Sequence, residues 1–181
     1  MTAVVFLADG FEECEALIVV DILRRAGIET VMASVMGQPE VDSSRHIVVR
    51  ADKLAEEVDF SGVDIIILPG GRLGTENLAA NELVRSQCLA FAREKRLAAI
   101  CAAPSLLASL GLLEGKEATC HPDFAPQMKG ARLTGGSVAV SGNITTGQGL
   151  GAAFPFAFEL VRQLVGEDQV RQIREAICYR E

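Results

Sequence analysis

Apolar positions in this chain fall into short unbroken runs separated by amphipathic stretches. Residues 3–7 (Ala-Val-Val-Phe-Leu) form a compact apolar run ending at Asp9-Gly10, which predicts a buried strand and a turn. Residues 15–26 place Leu17, Val20, Ile22 and Leu23 at helical spacing, with Gly27 as the stop. A second strand is predicted over residues 30–35 and is broken by Gly37-Gln38-Pro39; Val41 and residues 47–49 read as short strands around a polar turn. Residues 64–68 (Asp-Ile-Ile-Ile-Leu) give a third buried strand, stopped by Pro69-Gly70-Gly71. A helix follows over residues 82–95, then a fourth strand over residues 97–100 that ends at Cys101. Pro104 sits in the first turn of a helix over residues 104–110. Residues 137–141 and 144–146 read as strands, and residues 154–165 and 169–177 as the last helices.

Continuous apolar strands alternating with amphipathic helices predict an α/β sandwich: a mostly parallel sheet covered on both faces, as one domain over residues 1–181. In such sheets ligands bind outside the carboxyl ends of the strands. Three features fall at such ends: the acidic segment after the first strand, the glycine pair after the third, and Cys101 after the fourth.

Composition narrows the function classes. With 49% hydrophobic residues the chain is a folded protein, and a net charge of -7 with scattered Lys and Arg argues against a nucleic-acid surface. The N-terminus has no basic region before its apolar stretch, and no segment is long enough to span a bilayer, so a cytoplasmic protein without a membrane partner is expected. Five cysteines, none in a C-x-x-C pair, read as free thiols in a reducing compartment; with only two histidines, they argue against a structural zinc site.

Cys101 lies in Ala98-Ala99-Ile100-Cys101-Ala102-Ala103-Pro104, which has the layout of a nucleophile elbow with Cys for Ser and Ala for Gly. A helix N-terminus there is expected to favour a thiolate. Local sequence leaves two readings open: a reactive thiol, or a small buried hydrophobe. Glu12 and Glu13 read as acidic residues suited to a helix N-terminus. Glu15 is followed directly by Ala16, Leu17 and Ile18, so it can point inward and act as acid or base beside the sulfur. Gly70 and Gly71 can bring backbone N–H groups to a reacting oxygen, or simply end a strand. His121, before Pro122, is placed in a loop, where a solvated histidine is the ordinary outcome; His46 reads as a surface residue. Gly147-Gln148-Gly149-Leu150-Gly151 departs from dinucleotide and P-loop spacings and reads as a structural turn beside the site, and the other four cysteines read as inert.

Taken together, Glu12-Glu13-Cys14-Glu15, residues 20–27, Leu68-Pro69-Gly70-Gly71, the Cys101 segment, His121-Pro122 and Gly149-Leu150-Gly151 resemble the ThiJ/PfpI superfamily, in the branch of the parkinsonism-associated deglycase and its bacterial relatives. The resemblance spans nearly the whole chain. It implies a flavodoxin-like three-layer α/β/α sandwich, like the class I glutamine amidotransferases, and a homodimer. It also implies that Cys101 is the oxidation-prone nucleophile, that Glu15 is the carboxyl bonded to it and that His121 is the third site residue. Gly71 and Ala102 fall on backbone donors, and Arg45, Gly70 and Gln148 near a substrate or anion; Arg25 matches a further arginine. The chain departs from the pattern at Ala102, where the protease-like branch has His, at Gln148, where some members have Arg, and at Ser43, where some have Cys. It also stops at Glu181, short of the extra C-terminal segment of some relatives. The implied activity is a cofactor-free, metal-free glyoxalase or deglycase acting on glyoxal, methylglyoxal or their early adducts. The alternatives are a redox sensor or chaperone using oxidation of Cys101 and, ranked last, an intracellular cysteine peptidase.

Overall fold

The computed structural model describes residues 1–180. The chain runs β1 (Thr2–Leu7), α1 (Glu13–Arg25), β2 (Glu29–Ser34), β3 (Glu40–Asp42), β4 (Val48–Arg50), β5 (Lys53–Leu54), β6 (Ile65–Leu68), α2 (Arg72–Ala80) and α3 (Glu82–Glu94). It continues through β7 (Arg96–Ile100), α4 (Pro104–Ser109), β8 (Glu117–Ala118), β9 (Arg132–Leu133), β10 (Val138–Ser141), β11 (Ile144–Gly147), α5 (Ala153–Val165) and α6 (Glu167–Ala176). The main sheet has the order β10-β11-β7-β6-β1-β2-β5 and is parallel except for the β10–β11 pair. β3 and β4 form a separate antiparallel hairpin.

The strands are apolar on both sides because each side meets a different core. Val5, Leu7, Ile65, Ile67, Ala98 and Ile100 pack against α1 and α5. Their neighbours Val4, Phe6, Ile66, Leu68, Leu97 and Ala99 pack against α2, α3 and α4. An alternating strand pattern would have exposed one face; the unbroken runs are what a sheet between two helical layers requires. The result is the flavodoxin-like three-layer sandwich. Among the described residues no helix is long and apolar enough to cross a membrane.

The sheet order also makes the site. After β1 the chain moves outward to β2, and later returns to add β6 and β7 on the other flank of β1. The segments leaving β1 and β6 therefore diverge, opening the crevice where α/β sheets place their ligands. Glu12–Glu15 border it from one strand, Gly70–Gly71 from the next, and Cys101 from β7.

One helix escapes the sequence pattern. α2 is only nine residues long, with two leucines, and contains Gly74, a poor helix former. Gly74 is there because a β-carbon would stand 2.6 Å from the Phe11 backbone, so the glycine allows α2 to pack directly on the β1–α1 turn. The two-residue strands β5, β8 and β9 are too short to leave a pattern. α1 begins at Glu13 rather than Glu15, because Glu12 caps it.

Candidate functional site

Cys101 stands between β7 and α4 with φ at 66°. For a residue with a β-carbon that left-handed conformation costs roughly 1–2 kcal/mol. It is held because both peptide groups are committed: the Cys101 N–H donates to the Gly147 carbonyl and the Cys101 carbonyl accepts from the His121 N–H, each at 2.9 Å. Ile100 and Ala102 on either side are fully buried. His46 and Cys178 share a positive φ, but each is exposed on a turn and donates its N–H only to a carbonyl three residues back. Strain locked in by buried neighbours at a strand end is a mark of a working residue.

Glu15, in the first turn of α1, is 1% exposed. Its Oε2 accepts the Gly70 N–H at 2.9 Å, which places the carboxyl beside Cys101, both groups crowding the α-carbon of Gly70. Burial pushes the carboxyl up to about 7 and the nearby Glu12 charge adds to this, while the bonds to Cys101 and to the Gly70 N–H pull it down. The Cys101 thiol is pushed up to about 12, by burial first and then by the Glu15 charge and hydrogen bond. The N–H groups of Gly71 and Ala102 lie near the sulfur and act in the opposite direction. This corrects the expectation of a thiolate favoured by a helix N-terminus. α4 has six residues and starts beyond Cys101, and two backbone donors do not outweigh burial beside a carboxylate. Burial and the Glu15 charge thus favour the thiol form of Cys101, next to a carboxyl that burial pushes up to about 7.

Gly70 serves Glu15 rather than a substrate. Its N–H is already donated, and a β-carbon there would lie 2.5 Å from Glu15 Oε2 and 2.6 Å from Cys101 Cβ. Gly71 lies at φ 87°, and a β-carbon on it would come within 2.2 Å of the Gly10 carbonyl, so only glycine brings its N–H to the sulfur.

His121 caps a short 3₁₀ turn (Pro122–Gln127), and its Nδ1 accepts the Asp123 N–H at 3.3 Å. That bond assigns the proton of the neutral ring to Nε2, making the ring a donor there. Gly149 separates His121 from Cys101: a β-carbon on it would lie 3.6 Å from His121 Cδ2 and 3.9 Å from Cys101 Sγ. His121, Gln148 and Gly149 line a cleft of about 560 Å³ with Leu150 and Ser137, so Gln148 lies beside the site.

Arg45 is not brought to Cys101. Its guanidinium donates to the Ser44 carbonyl at 3.1 Å and lines a separate cleft with Asp9, Asp42, His46 and Arg72. Glu13 explains the placement. It accepts from the Ser44 hydroxyl at 3.2 Å; burial, the largest single effect, raises its carboxyl, but bonds to its own backbone, Ser43 and Ser44 and the Arg45 charge together hold it below its usual range. Glu13 is thus an anchor for the β3–β4 loop, beyond the helix-end role expected for it. All five cysteines are free; Cys88 and Cys120 are buried, Cys14 and Cys178 exposed. Among the described residues no group of three or more His, Cys, Asp or Glu side chains is arranged to hold a metal ion.

Sequence reasoning placed Glu12 at a helix N-terminus and Gly149 in a turn beside the site, but not the Glu12 cap on the Glu15 N–H or the approach of Gly149 to both His121 and the sulfur. The Glu-x-x-Glu spacing of residues 12–15 has the capping-box interval but Glu where Ser or Thr usually caps, so the first left little signal. The second depends on two loops meeting and leaves no local signal.

A buried carboxyl beside a cysteine on a strained strand-to-helix turn, at the carboxyl edge of a parallel sheet, defines a cysteine-elbow protein of the three-layer sandwich class. The DJ-1/PfpI family matches residues 1–163, and the chain belongs to it. It is 34% identical over 187 residues to the Parkinson disease protein 7 homolog of Danio rerio, covering 99% of this chain and 97% of that one. It is 29% identical over 173 residues to the glutathione-independent glyoxalase DJR-1.2 of Caenorhabditis elegans, covering 92% and 90% of the two chains. Among solved structures, oxidised Toxoplasma gondii DJ-1 superposes with a TM-score of 0.95 at 35% identity, over 99% of both chains.

Proposed function

We propose that this protein is a cofactor-free glyoxalase or deglycase that converts glyoxal, methylglyoxal or their early adducts to 2-hydroxy acids through Cys101. The observation that carries the reading is the buried Glu15 carboxyl, fixed by the Gly70 N–H beside Cys101 on its strained turn, with the carboxyl pushed up to about 7. A carboxyl in that range both accepts and returns protons at neutral pH. The relative named as a glutathione-independent glyoxalase supports the same chemistry.

With methylglyoxal, the Cys101 sulfur bonds the aldehyde carbon while the thiol proton passes to ionised Glu15 and on to the aldehyde oxygen, giving a hemithioacetal. Donation from Gly71 and Ala102 N–H groups and His121 Nε2 supports the charge developing on that oxygen. Glu15 then takes the carbon-bound proton and an enediol forms; reprotonation at the adjacent carbon leaves a thioester of lactate. The aldehyde carbon is oxidised and its neighbour reduced by the same electron pair, so no external oxidant enters. Water cleaves the thioester, releasing lactate and restoring the thiol. With glyoxal the same steps give glycolate. The experiment is lactate formation from methylglyoxal by wild type, Cys101→Ala and Glu15→Gln. Loss of activity in both variants is expected; equal rates in Cys101→Ala would remove the reading.

A second reading is favoured by the Gly71 and Ala102 donors near the sulfur. The same N–H groups, with protonated Glu15, suit a sulfinate at Cys101, as a redox sensor or chaperone would need. Site-resolved mass spectrometry after mild peroxide tests it; another cysteine oxidising first counts against it. The peptidase reading has least support, since the adjacent Ala102 is fully buried and His121 Nδ1 is occupied by Asp123. The proposal includes a homodimer. Leu17 on α1 and Ile47 and Val48 at the β3–β4 hairpin are 36%, 50% and 63% exposed, on two segments that Glu13 ties together through Ser44.

A further inference from the structure

Helix α1 begins with a capping box that has been opened. In the closed form the capping side chain accepts the N–H three residues on, and the residue there reaches back to the cap's own N–H. Glu12 makes the first bond, its Oε2 accepting the Glu15 N–H at 2.7 Å. Glu15 does not return it, because its carboxyl is turned to Gly70 and Cys101. The Glu12 N–H instead donates to the Gly70 carbonyl at 2.9 Å. Gly70 is therefore inserted into the box, its carbonyl held by Glu12 and its N–H by Glu15. A serine or asparagine would satisfy the same cap with a shorter side chain. What Glu12 adds is a negative charge within one helical turn of the Glu15 carboxyl.

We propose that Glu12 is a positioning residue of the Cys101 site, setting Glu15 against the sulfur through the opened capping box and placing its own negative charge beside the Glu15 carboxyl. The Glu12 carboxylate acts on Glu15 in the same direction as burial. Of the other groups around Glu15, Cys101 faces it from the β7–α4 turn and Gly70 offers an uncharged N–H from the β6–α2 turn. Glu13 is turned to Ser44 and Arg45, and His121 flanks Cys101 across Gly149. This inference rests on Glu15 and Cys101 being the working pair.

The test follows the Glu15 carboxyl carbon by NMR titration, assigned from its loss in Glu15→Gln, beside the pH profile of lactate formation. Glu12→Gln keeps the cap acceptor and removes the charge. It should lower the Glu15 midpoint by about half a unit to one unit, as expected for two charges several ångströms apart in a partly wet site. The acidic limb of turnover should move with it while the melting temperature holds. Glu12→Asp, which keeps the charge, should stay near wild type. An unmoved midpoint in Glu12→Gln, or an equal shift in Glu12→Asp, overturns the proposal. If Glu12→Gln does not fold, Glu12→Ser supplies an uncharged cap and is judged the same way. A moved midpoint without lactate supports Glu12 and counts against the proposed reaction; lactate with an unmoved midpoint does the reverse.

Discussion

A carboxyl as buried as Glu15 makes stability depend on pH in an unusual direction. Its value rises from 4.5, the ordinary one, to about 7 in the fold. Below 4.5 folded and unfolded chains both hold the proton, and Glu15 does not oppose folding. From 4.5 to about 7 the unfolded chain releases a proton that the folded chain keeps, so this contribution is lost across that window and stays lost above it. The loss is on the order of 3 kcal/mol. Carboxylates held below their usual range, such as Glu13, work the other way, so the comparison must isolate Glu15. The thermal midpoint of Glu15→Gln should gain on that of wild type as pH rises through this window. Parallel curves would show that Glu15 does not keep its proton in the fold.

Single elements obey a similar balance between local preference and packing. Gly74→Ala would gain about 1 kcal/mol of helix propensity in α2. The new β-carbon would lie 2.6 Å from the Cα and N of Phe11, which are backbone and cannot rotate away. Overlap of that kind costs roughly 1–3 kcal/mol, so the net effect expected in urea unfolding is a lower midpoint; a higher one would mean that α2 shifts freely. The same competition explains what the amino-acid pattern revealed. Strands β1, β6 and β7 and helices α1, α3 and α5 are long or apolar enough to be read directly. α2 was hidden because its glycine answers to Phe11, not to its own helix. In the site, Cys101, Glu15 and Gly71 were legible because three strand ends converge. The Gly70–Glu15 bond and the role of Gly149 were not, since each joins segments far apart in sequence. Arg45, placed by resemblance alone, is held by the Ser44 loop in another cleft.

At the scale of the whole molecule, the apolar side chains left outside on α1 and the β3–β4 hairpin belong to the proposed pairing of two copies. Val48→Glu would place a charge in that patch. Sedimentation should give twice 19.3 kDa for wild type and a shift toward the single chain for the variant; identical masses for the two proteins would remove Val48 from the interface. The sheet order that opens the crevice between β1 and β6 also brings Glu15, Gly71 and Cys101 together, and the account stands on what that assembly does to an aldehyde. The most direct measurement is turnover of methylglyoxal in deuterated water, read by proton NMR for wild type and Cys101→Ala. The enediol route predicts lactate carrying solvent deuterium at its hydroxyl-bearing carbon from wild type, and none formed by Cys101→Ala; lactate produced equally by both proteins would contradict it.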